Sequence, residues 1–381
     1  MNQPIIVYAK RTPIGKYGGM LSHIEPEYLV KALIEDLRDT HPTVVDEVND
    51  VILGNVVGNG GNIARKALLE AGLSETIPGM TIDRQCGSGL ETIHTACRMI
   101  QAGAGDMYIA GGVESTSRAP WKIKRPQSVY ETAMPEIFER AAFAPDGMDP
   151  SMIEAAENVA KQYGICREDQ DQFAYDSHQK TLKAVEAGFF EREIVPLRIK
   201  GTIVTHDESV KPRLTMRILS RFKPLLAGGT VTVGNSCMKN DGAGIVLVMR
   251  ADKARDLGIK EGLQFINASV KGVDPTLLGI GPIPAVKDLL KKEGLEIEDI
   301  DAVEFNEAFS SQVLASTRAL NIPMERLNQY GGALATGHPY GASGALLVCR
   351  LFHMAHCRFG LATLGIGGGI GHATLFRRWK S

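Results

Sequence analysis

The stretch Arg84–Gly112, RQCGSGLETIHTACRMIQAGAGDMYIAGG, decides the fold class of this chain. Its apolar residues recur at helical spacing, at Leu90, Ile93, Cys97 and Ile100. This spacing predicts a helix from Leu90 to Ala104 with Gly103 as its stop, followed by a strand from Met107 to Ala110. A helix feeding a short apolar strand and a Gly-Gly pair is typical of an α/β protein with a buried sheet.

A second stretch near the other end of the chain resembles the first. Gly337–Gly369 reads GHPYGASGALLVCRLFHMAHCRFGLATLGIGGG, which predicts a helix over Ala342–His353, then a strand, then three glycines. Chance is one explanation, since glycine-rich strand and helix junctions are common in α/β proteins. A duplicated fold is the other, and it predicts a site at the junction that collects residues from both halves.

Between these stretches the character of the chain changes. Glu114 to about Lys239 holds most of the prolines, the basic run Trp121–Pro126 and polar helical patterns, with few strand-like runs. This composition indicates an inserted, partly exposed segment. The α/β character resumes at Gly242.

Composition excludes several classes of function. The 381 residues carry 42 Lys and Arg against 44 Asp and Glu, so no overall positive field favours nucleic acid or an anionic membrane. The N-terminal apolar run is too short for a signal peptide, and none approaches the ~20 residues of a membrane helix. The six cysteines form no CxxC pair, which predicts reduced thiols, no metal site and a cytoplasmic location.

Cys86 is the candidate nucleophile. It lies just ahead of the first turn of the predicted helix, where free N–H groups and the helix dipole favour thiolate and predict a lowered pKa. Gly87 and Gly89 leave room for a ligand to approach the sulfur. The alternative is that Cys86 is a small buried apolar residue, as the other cysteines are expected to be.

His338 is the candidate base, because a following proline and several glycines present its ring on an open loop. The alternative is a histidine that is structural or merely exposed. Asn306 and Glu307 follow a predicted strand and are placed to reach a site, although an ordinary helix N-cap is the commoner explanation of an isolated Asn-Glu pair. The run Gly365–Gly371 is a weak dinucleotide motif, since the chain ends ten residues later, and its bare amides suit an oxyanion better.

Taken together, ten motifs in order along the chain resemble signatures of the thiolase family. They are AKRTPIGKYGG, GNIARKALLEAG, RQCGSGLET, AGGVESTSRAPW, MIEAAENVA, KPLLAGGTVTVGNS, KNDGAG, FNEAF, GGALATGHPYGASGA and GIGGGIG. The resemblance covers essentially the whole chain. It implies a five-layered α/β/α/β/α core built from two duplicated βαβαβ-type halves.

The resemblance also implies boundaries and an assembly. The N-terminal half spans residues 1–118 and 242–262, the loop domain that binds coenzyme A spans 119–241, and the C-terminal half spans 263–381. The assembly is a homodimer or a dimer of dimers. Coenzyme A thioesters are the substrates, and no separate cofactor or metal is implied.

The resemblance assigns a role to each motif residue. Cys86 is acylated, His338 takes its proton, Asn306 with His338 forms one oxyanion hole, and the amides of Cys86 and Gly367 form the second. The residues expected to contact coenzyme A or the acyl group are Lys223, Met152, Ser236, Cys237 and Glu307.

The chain departs from the family pattern at three positions. Gly365 stands where the family has a second cysteine, which acts as acid and base at the carbon next to the thioester. Cys237 replaces a serine of the pantetheine loop, and Ser151 replaces a histidine of the biosynthetic subgroup. Losing a positioned base lowers the rate of the step it serves by about 10²- to 10⁴-fold. The rate of carbon–carbon bond chemistry is therefore expected to fall more than the rate of acylation. A water in the vacated space, or His338, is a possible substitute.

Three hypotheses follow. The first is a thiolase-family acyltransferase that works through acyl-Cys86. The second is an enzyme without thiolase activity that transfers acyl groups, hydrolyses thioesters or condenses by decarboxylation. The third is a non-catalytic binder of coenzyme A thioesters.

Overall fold

The computed structural model describes residues 2–138 and 140–381. Its strands are β1 (Pro4–Arg11), β2 (Gly15–Lys16), β3 (Asp50–Gly54), β4 (Gly79–Ile82), β5 (Met107–Ser115), β6 (Lys122–Ile123), β7 (Ile137–Phe138), β8 (Leu197–Ile199), β9 (Thr202–Val204), β10 (Asn240–Arg250), β11 (Glu261–Gly272), β12 (Ala302–Phe305), β13 (Phe359–Ile366) and β14 (Ile370–Lys380). Its helices are α1 (Pro26–Thr40), α2 (Ile63–Glu70), α3 (Ser88–Ala102), α4 (Met152–Gln162), α5 (Arg167–Glu186), α6 (Met216–Leu219), α7 (Ala251–Asp256), α8 (Pro282–Glu293), α9 (Ser310–Leu320), α10 (Ala333–Thr336) and α11 (Tyr340–His353).

The two ends of the chain form two matching half-sheets. In the first half β10 runs antiparallel to β1 and β5, and β5 runs parallel to β3. In the second half β14 runs antiparallel to β11 and β13, and β13 runs parallel to β12. The halves meet where β1 pairs with β11 over a short antiparallel contact. The same order and the same directions in both halves confirm the predicted duplication.

The layers follow from which helix faces are apolar. Helices α3 and α11 pack on each other and on both half-sheets, and their apolar residues form one core with inward-facing residues of β10, β13 and β14. Helices α1 and α2 cover the outer face of the first half, and α8 and α9 cover the outer face of the second. The result is the predicted α/β/α/β/α arrangement.

The helix and strand predicted around Cys86 are confirmed. Helix α3 ends at Gly103, which adopts φ +74°, a left-handed conformation that glycine takes without strain. Strand β5 begins at Met107 and is buried along its whole length. Helix α11 begins at Tyr340, two residues earlier than predicted, because the chain turns into it directly at Pro339.

The segment between β5 and β10 contains the helices α4, α5 and α6, as its polar patterns predict, and four strands of two or three residues in its described part. It is tied to the core by Glu193, whose carboxylate pairs with Arg11 of β1 at 2.7 Å and Arg350 of α11 at 3.0 Å. All three side chains are buried.

Candidate active site

The site lies where the N-terminal ends of α3 and α11 cross. Gly54 and Gly89 approach the carbonyl oxygen of Gly341 so closely that an added Cβ would lie 2.7 Å from it, and Gly112 approaches still closer. Only glycine allows this packing, because real Cβ atoms do not come within 3.0 Å of backbone. The crossing brings together the two loops that carry Cys86 and His338.

Cys86 is half-buried, and Gly87 caps the helix that follows it. Its sulfur is within hydrogen-bonding reach of its own N–H and of the N–H of Gly367. Burial nevertheless raises the pKa of the thiol to about 12, because removing a thiolate from water outweighs both N–H groups. The predicted lowering of the Cys86 pKa is therefore wrong for the resting site.

His338 is buried, and its tautomer follows from its neighbour. Its Nδ1 lies 2.6 Å from the Ser343 hydroxyl, which donates its own proton to the carbonyl of Pro339 at 2.9 Å. Ser343 must then accept a proton from Nδ1, which leaves the lone pair on Nε2. Burial lowers the pKa of His338 to about 4, so the ring is a neutral base at pH 7.

Asn306 faces this free nitrogen. Its Nδ2 lies 3.4 Å from His338 Nε2, at the long end of a hydrogen bond. The alternative that Asn306 caps a helix is wrong, because α9 begins at Ser310 and its N-cap residue is Phe309. Asn306 instead directly follows β12, and its side chain lies at the site.

Both carboxylate oxygens of Glu307 are bound within the protein. One carboxylate oxygen accepts from Ser177 at 2.6 Å and from the N–H of Leu334, and the other accepts from Asn328 at 2.7 Å. Burial raises its pKa. These hydrogen bonds from Ser177, Asn328 and Leu334 fix the loop that carries Asn306 in place.

The glycine-rich turn between β13 and β14 lies next to Cys86. Gly368 and Gly369 adopt φ +82° and +74°, which bend the chain and present the Gly367 N–H to Cys86. A Cβ on Gly367 would lie 2.7 Å from the ring of Phe143.

Gly365 contradicts one expectation. A Cβ at this position would lie 3.1 Å from the carbonyl carbon and oxygen of Gly279 and nearer still to its Cα. The main chain of Gly279 thus fills the space that a side chain would take. The suggested water in a space vacated at Gly365 is therefore wrong.

Cys237 lies close to the nucleophile. Its N–H donates to the carbonyl of Ala308 at 2.9 Å, close to Asn306 in sequence. Two residues after Cys237, the backbone of Lys239 forms a β-bridge with the backbone of His338. Burial raises the pKa of Cys237, and the negative charge of an ionised Cys86 raises it further. The neighbouring Ser236 hydroxyl donates to Thr232 in its own loop.

The other two predicted contact residues lie on the inserted segment. Met152 is the first residue of α4 and packs against a small apolar cluster that includes Phe309, three residues after Asn306. Lys223 is exposed in the stretch between α6 and the Ser236 loop.

Two functional neighbours were missed from the sequence. Ser343 sets the tautomer of His338 and could have been found from its place in the first turns of the following helix. Asn240 accepts the backbone N–H of His338 at 3.0 Å. It lies in the KNDGAG motif, but nothing in that motif shows that it contacts a residue almost a hundred positions later.

One group with metal-ligand spacing occurs in the described residues, formed by Glu91, His94 and His372. Both histidine Nδ1 atoms lie 3.6 Å from a Glu91 oxygen. Arg84 pairs with that same oxygen at 2.5 Å, and Arg98 donates to His94 Nε2 at 3.2 Å. This donation puts the neutral ring's proton on Nδ1, and two guanidinium groups repel a cation, so the cluster is poorly suited to a metal.

In the part of the chain that the structure describes, no helix is long and apolar enough to span a bilayer.

A cysteine, a histidine and an asparagine at the crossing of two duplicated α/β halves define an acyl-transferring enzyme with a thiolase fold. Family models agree along almost the whole chain: the thiolase N-terminal domain matches residues 4–252, and the thiolase C-terminal domain matches residues 261–378. The chain belongs to the thiolase family.

Three similar proteins illustrate the relationship. The "Putative acetyl-CoA C-acetyltransferase VraB" of Staphylococcus haemolyticus is 62% identical over 380 residues, covering 100% of both chains. The crystal structure of the Bacillus anthracis acetyl-CoA acetyltransferase has a TM-score of 0.95 at 36% identity, covering 100% of this chain and 99% of that one. Human mitochondrial 3-ketoacyl-CoA thiolase in complex with CoA has a TM-score of 0.93 at 32% identity, covering 99% and 98%.

Proposed function

We propose that this protein transfers acyl groups from coenzyme A thioesters through a covalent acyl-Cys86 intermediate, and that its carbon–carbon bond chemistry is weak. The names of the three similar proteins support acetyl-CoA or 3-ketoacyl-CoA as the substrate class. A cytoplasmic homodimer or dimer of dimers remains a prediction from the family resemblance.

The acylation step uses groups that the site already holds. Neutral His338 accepts the Cys86 proton on Nε2 as the sulfur attacks the thioester carbonyl carbon. The carbonyl oxygen becomes an oxyanion. The bond to the coenzyme A sulfur then breaks, and the leaving thiolate takes the proton from His338, so the ring returns to neutral.

A single observation carries this proposal: the Cys86 and Gly367 N–H groups converge on one sulfur. In the resting site these donors offset part of the cost of burying the thiol. When the sulfur attacks, the oxyanion forms next to it, and both donors are placed to stabilise it. Because the thiol and the imidazole are both neutral at rest, proton transfer must accompany attack.

The second half-reaction depends on the acyl acceptor. Transfer to another thiol reverses the first step and needs no further base. Transfer to carbon needs a proton removed next to a thioester carbonyl, and the Gly279 main chain occupies the place beside Gly365 where the family has its second cysteine. This contact favours acyl transfer, or condensation by decarboxylation, over ordinary Claisen chemistry.

The test is intact-protein mass spectrometry after incubation with acetyl-CoA and, separately, with acetoacetyl-CoA plus a trace of coenzyme A. We expect an acetyl adduct from acetyl-CoA that Cys86→Ala abolishes. Cys166→Ala is the matched control, because this exposed cysteine lies outside the site and its loss should leave the adduct intact.

The products from acetoacetyl-CoA separate the hypotheses. An acetoacetyl adduct on Cys86 supports acyl transfer without carbon–carbon cleavage. If acetoacetyl-CoA instead gives an acetyl adduct as fast as acetyl-CoA does, carbon–carbon cleavage is not weak and that part of the proposal is wrong. Malonyl-CoA consumption with carbon dioxide release would identify decarboxylative condensation. If no thioester modifies Cys86, the covalent mechanism is wrong, and the result supports the hypothesis of a non-catalytic binder of coenzyme A thioesters.

A further inference from the structure

A small cavity of about 30 Å³ lies beside the candidate catalytic residues. Asn306 and Ser343 line it, and so do Glu304, Arg11 and Arg350. One water molecule needs roughly 10–15 Å³ of such space and two to four polar partners, so the cavity has room for about two.

Glu304 is the unusual member of this lining. Its side chain is 3% exposed, and its Oε1 has no hydrogen-bond partner among the described residues. Buried polar atoms in folded proteins nearly always find a partner, either in the protein or in ordered water. Water in the cavity is the partner available to this atom.

The charges around the cavity balance without Glu304. Arg11 pairs with Asp207 and Glu193, and Arg350 pairs with Glu193, so two guanidinium groups face two carboxylates. An ionised Glu304 would add a buried negative charge with no cation of its own in contact, which is strongly unfavourable.

The more distant charged groups do not change this result. Burial raises the pKa of Glu304 to about 8, and Glu193 and Glu307 raise it, whereas Arg350 and Lys180 lower it. Lys180 is engaged by the carbonyl oxygens of Met324 and Leu327. Glu304 therefore holds its proton at neutral pH and can donate it in a hydrogen bond.

The cavity connects this proton donor to the reaction site. Glu304 lies in β12 and Asn306 directly after it, and both residues line the cavity. Ser343, which also lines the cavity, accepts from Nδ1 of His338 and donates to the carbonyl of Pro339. Its second lone pair can therefore accept a hydrogen bond from water. Water in the cavity thus reaches Glu304, Asn306 and Ser343 together.

We propose that Glu304 is a positioning residue for acyl transfer: its protonated carboxyl group, acting through cavity water, holds Asn306 and the His338–Ser343 pair in place, and its ionisation disables the site. This inference rests on the proposed function. A negative charge on Glu304 would reverse the direction of its hydrogen bond to water and would oppose the negative charge that develops on the substrate oxygen.

The experiment compares the wild type with Glu304→Gln and Glu304→Leu. The acylation rate of Cys86 by acetyl-CoA is measured between pH 6 and pH 10. Relative to Glu304→Gln at the same pH, we expect the wild-type rate to fall about tenfold per pH unit above roughly pH 8, as one ionising group requires. Gln still donates and cannot ionise, so the rate of Glu304→Gln should follow only the rising thiolate fraction of Cys86. Leu cannot donate and should lower the rate at every pH.

A second readout needs no activity. In infrared difference spectra of wild type minus Glu304→Gln, the carbonyl band of a protonated carboxyl group should be present at pH 7 and disappear above roughly pH 8. Asp50→Asn is the matched control, since Asp50 also has an unpartnered buried oxygen but lies at the start of β3 outside the cavity lining. Its rate profile should match that of the wild type.

These readouts distinguish the two proposals. If Cys86 is never acylated, the proposed function fails and the infrared titration alone decides whether Glu304 is protonated. If Cys86 is acylated and Glu304→Gln shows the same loss of rate as the wild type, or Glu304→Leu behaves as the wild type, the positioning role is wrong. An absent infrared band at pH 7 would also overturn it.

Discussion

Replacing Gly365 with alanine or cysteine places a Cβ against the Gly279 main chain. That Cβ would lie 3.1 Å from the carbonyl carbon of Gly279, where a relaxed contact between carbon atoms needs about 3.5–4.0 Å. The main chain must therefore move by at least about 0.4 Å, and by more to clear the Gly279 Cα. Overpacking of this kind lowers the free energy of unfolding by about 1–3 kcal/mol.

Urea unfolding of the wild type, Gly365→Ala and Gly365→Cys measures this loss. The two variants share the Cβ and differ by the thiol, so we expect both to lose about 1–3 kcal/mol and to agree closely. Unchanged midpoints in both variants would refute the close contact with Gly279.

The same pair tests whether a thiol at this position restores carbon–carbon cleavage. A positioned base raises the rate of a step by about 10²- to 10⁴-fold. Because Gly279 displaces the new side chain, we expect Gly365→Cys to raise the rate of acetoacetyl-CoA cleavage by much less than this. Gly365→Ala gives the baseline at equal packing strain. A gain in the full range would show that the thiol fits without displacement.

Other predictions concern the site and its support. Alkylation of Cys86 by iodoacetamide should keep accelerating from pH 7 to pH 10 without levelling off near 8.5, because burial holds the pKa of its thiol at about 12. Ser343→Ala should slow the acylation of Cys86, because no hydroxyl then holds the His338 proton on Nδ1. Alkylation of Cys86 at pH 10 should be unchanged in this variant. Glu193→Gln should lower the free energy of unfolding by about 3–5 kcal/mol, because Arg11 and Arg350 would lose their buried partner.

Glu193 also predicts a pH dependence. Burial opposes its ionisation, but the charges of Arg350 and Arg11 prevail and hold the pKa of the carboxyl group at about 2. The folded pKa lies below the unfolded one, so this stabilisation is complete above about pH 4.5 and is lost as pH falls toward 2. The difference in unfolding free energy between wild type and Glu193→Gln should shrink over that interval, and a constant difference would argue against the ion pairs.

Local patterns made the fold predictable. The helical spacing before Gly103 and the apolar run after it describe α3 and β5 without reference to the rest of the chain. The match of the two ends was ambiguous in sequence, since glycine-rich junctions recur by chance. The strand order resolves it, because pairing directions repeat in the two halves.

The state of the site was less predictable because it depends on burial by distant residues. Sequence reasoning placed Cys86 at the start of a helix and predicted an ionised thiol from that local dipole. The surroundings remove the sulfur from water, and this loss of solvation exceeds the effect of the helix. Likewise, no pattern around Gly365 shows that Gly279 fills the adjacent space.

The pairing of β1 with β10 has a consequence for how the protein is made. The first strand, at residues 4–11, finds its long antiparallel partner only at residues 244–250. A ribosome adding roughly 5–20 residues per second needs on the order of 10–50 seconds to reach that partner. Throughout that time the nascent first half exposes an unpaired apolar strand, so newly made chains should depend on chaperones more than isolated folded protein does.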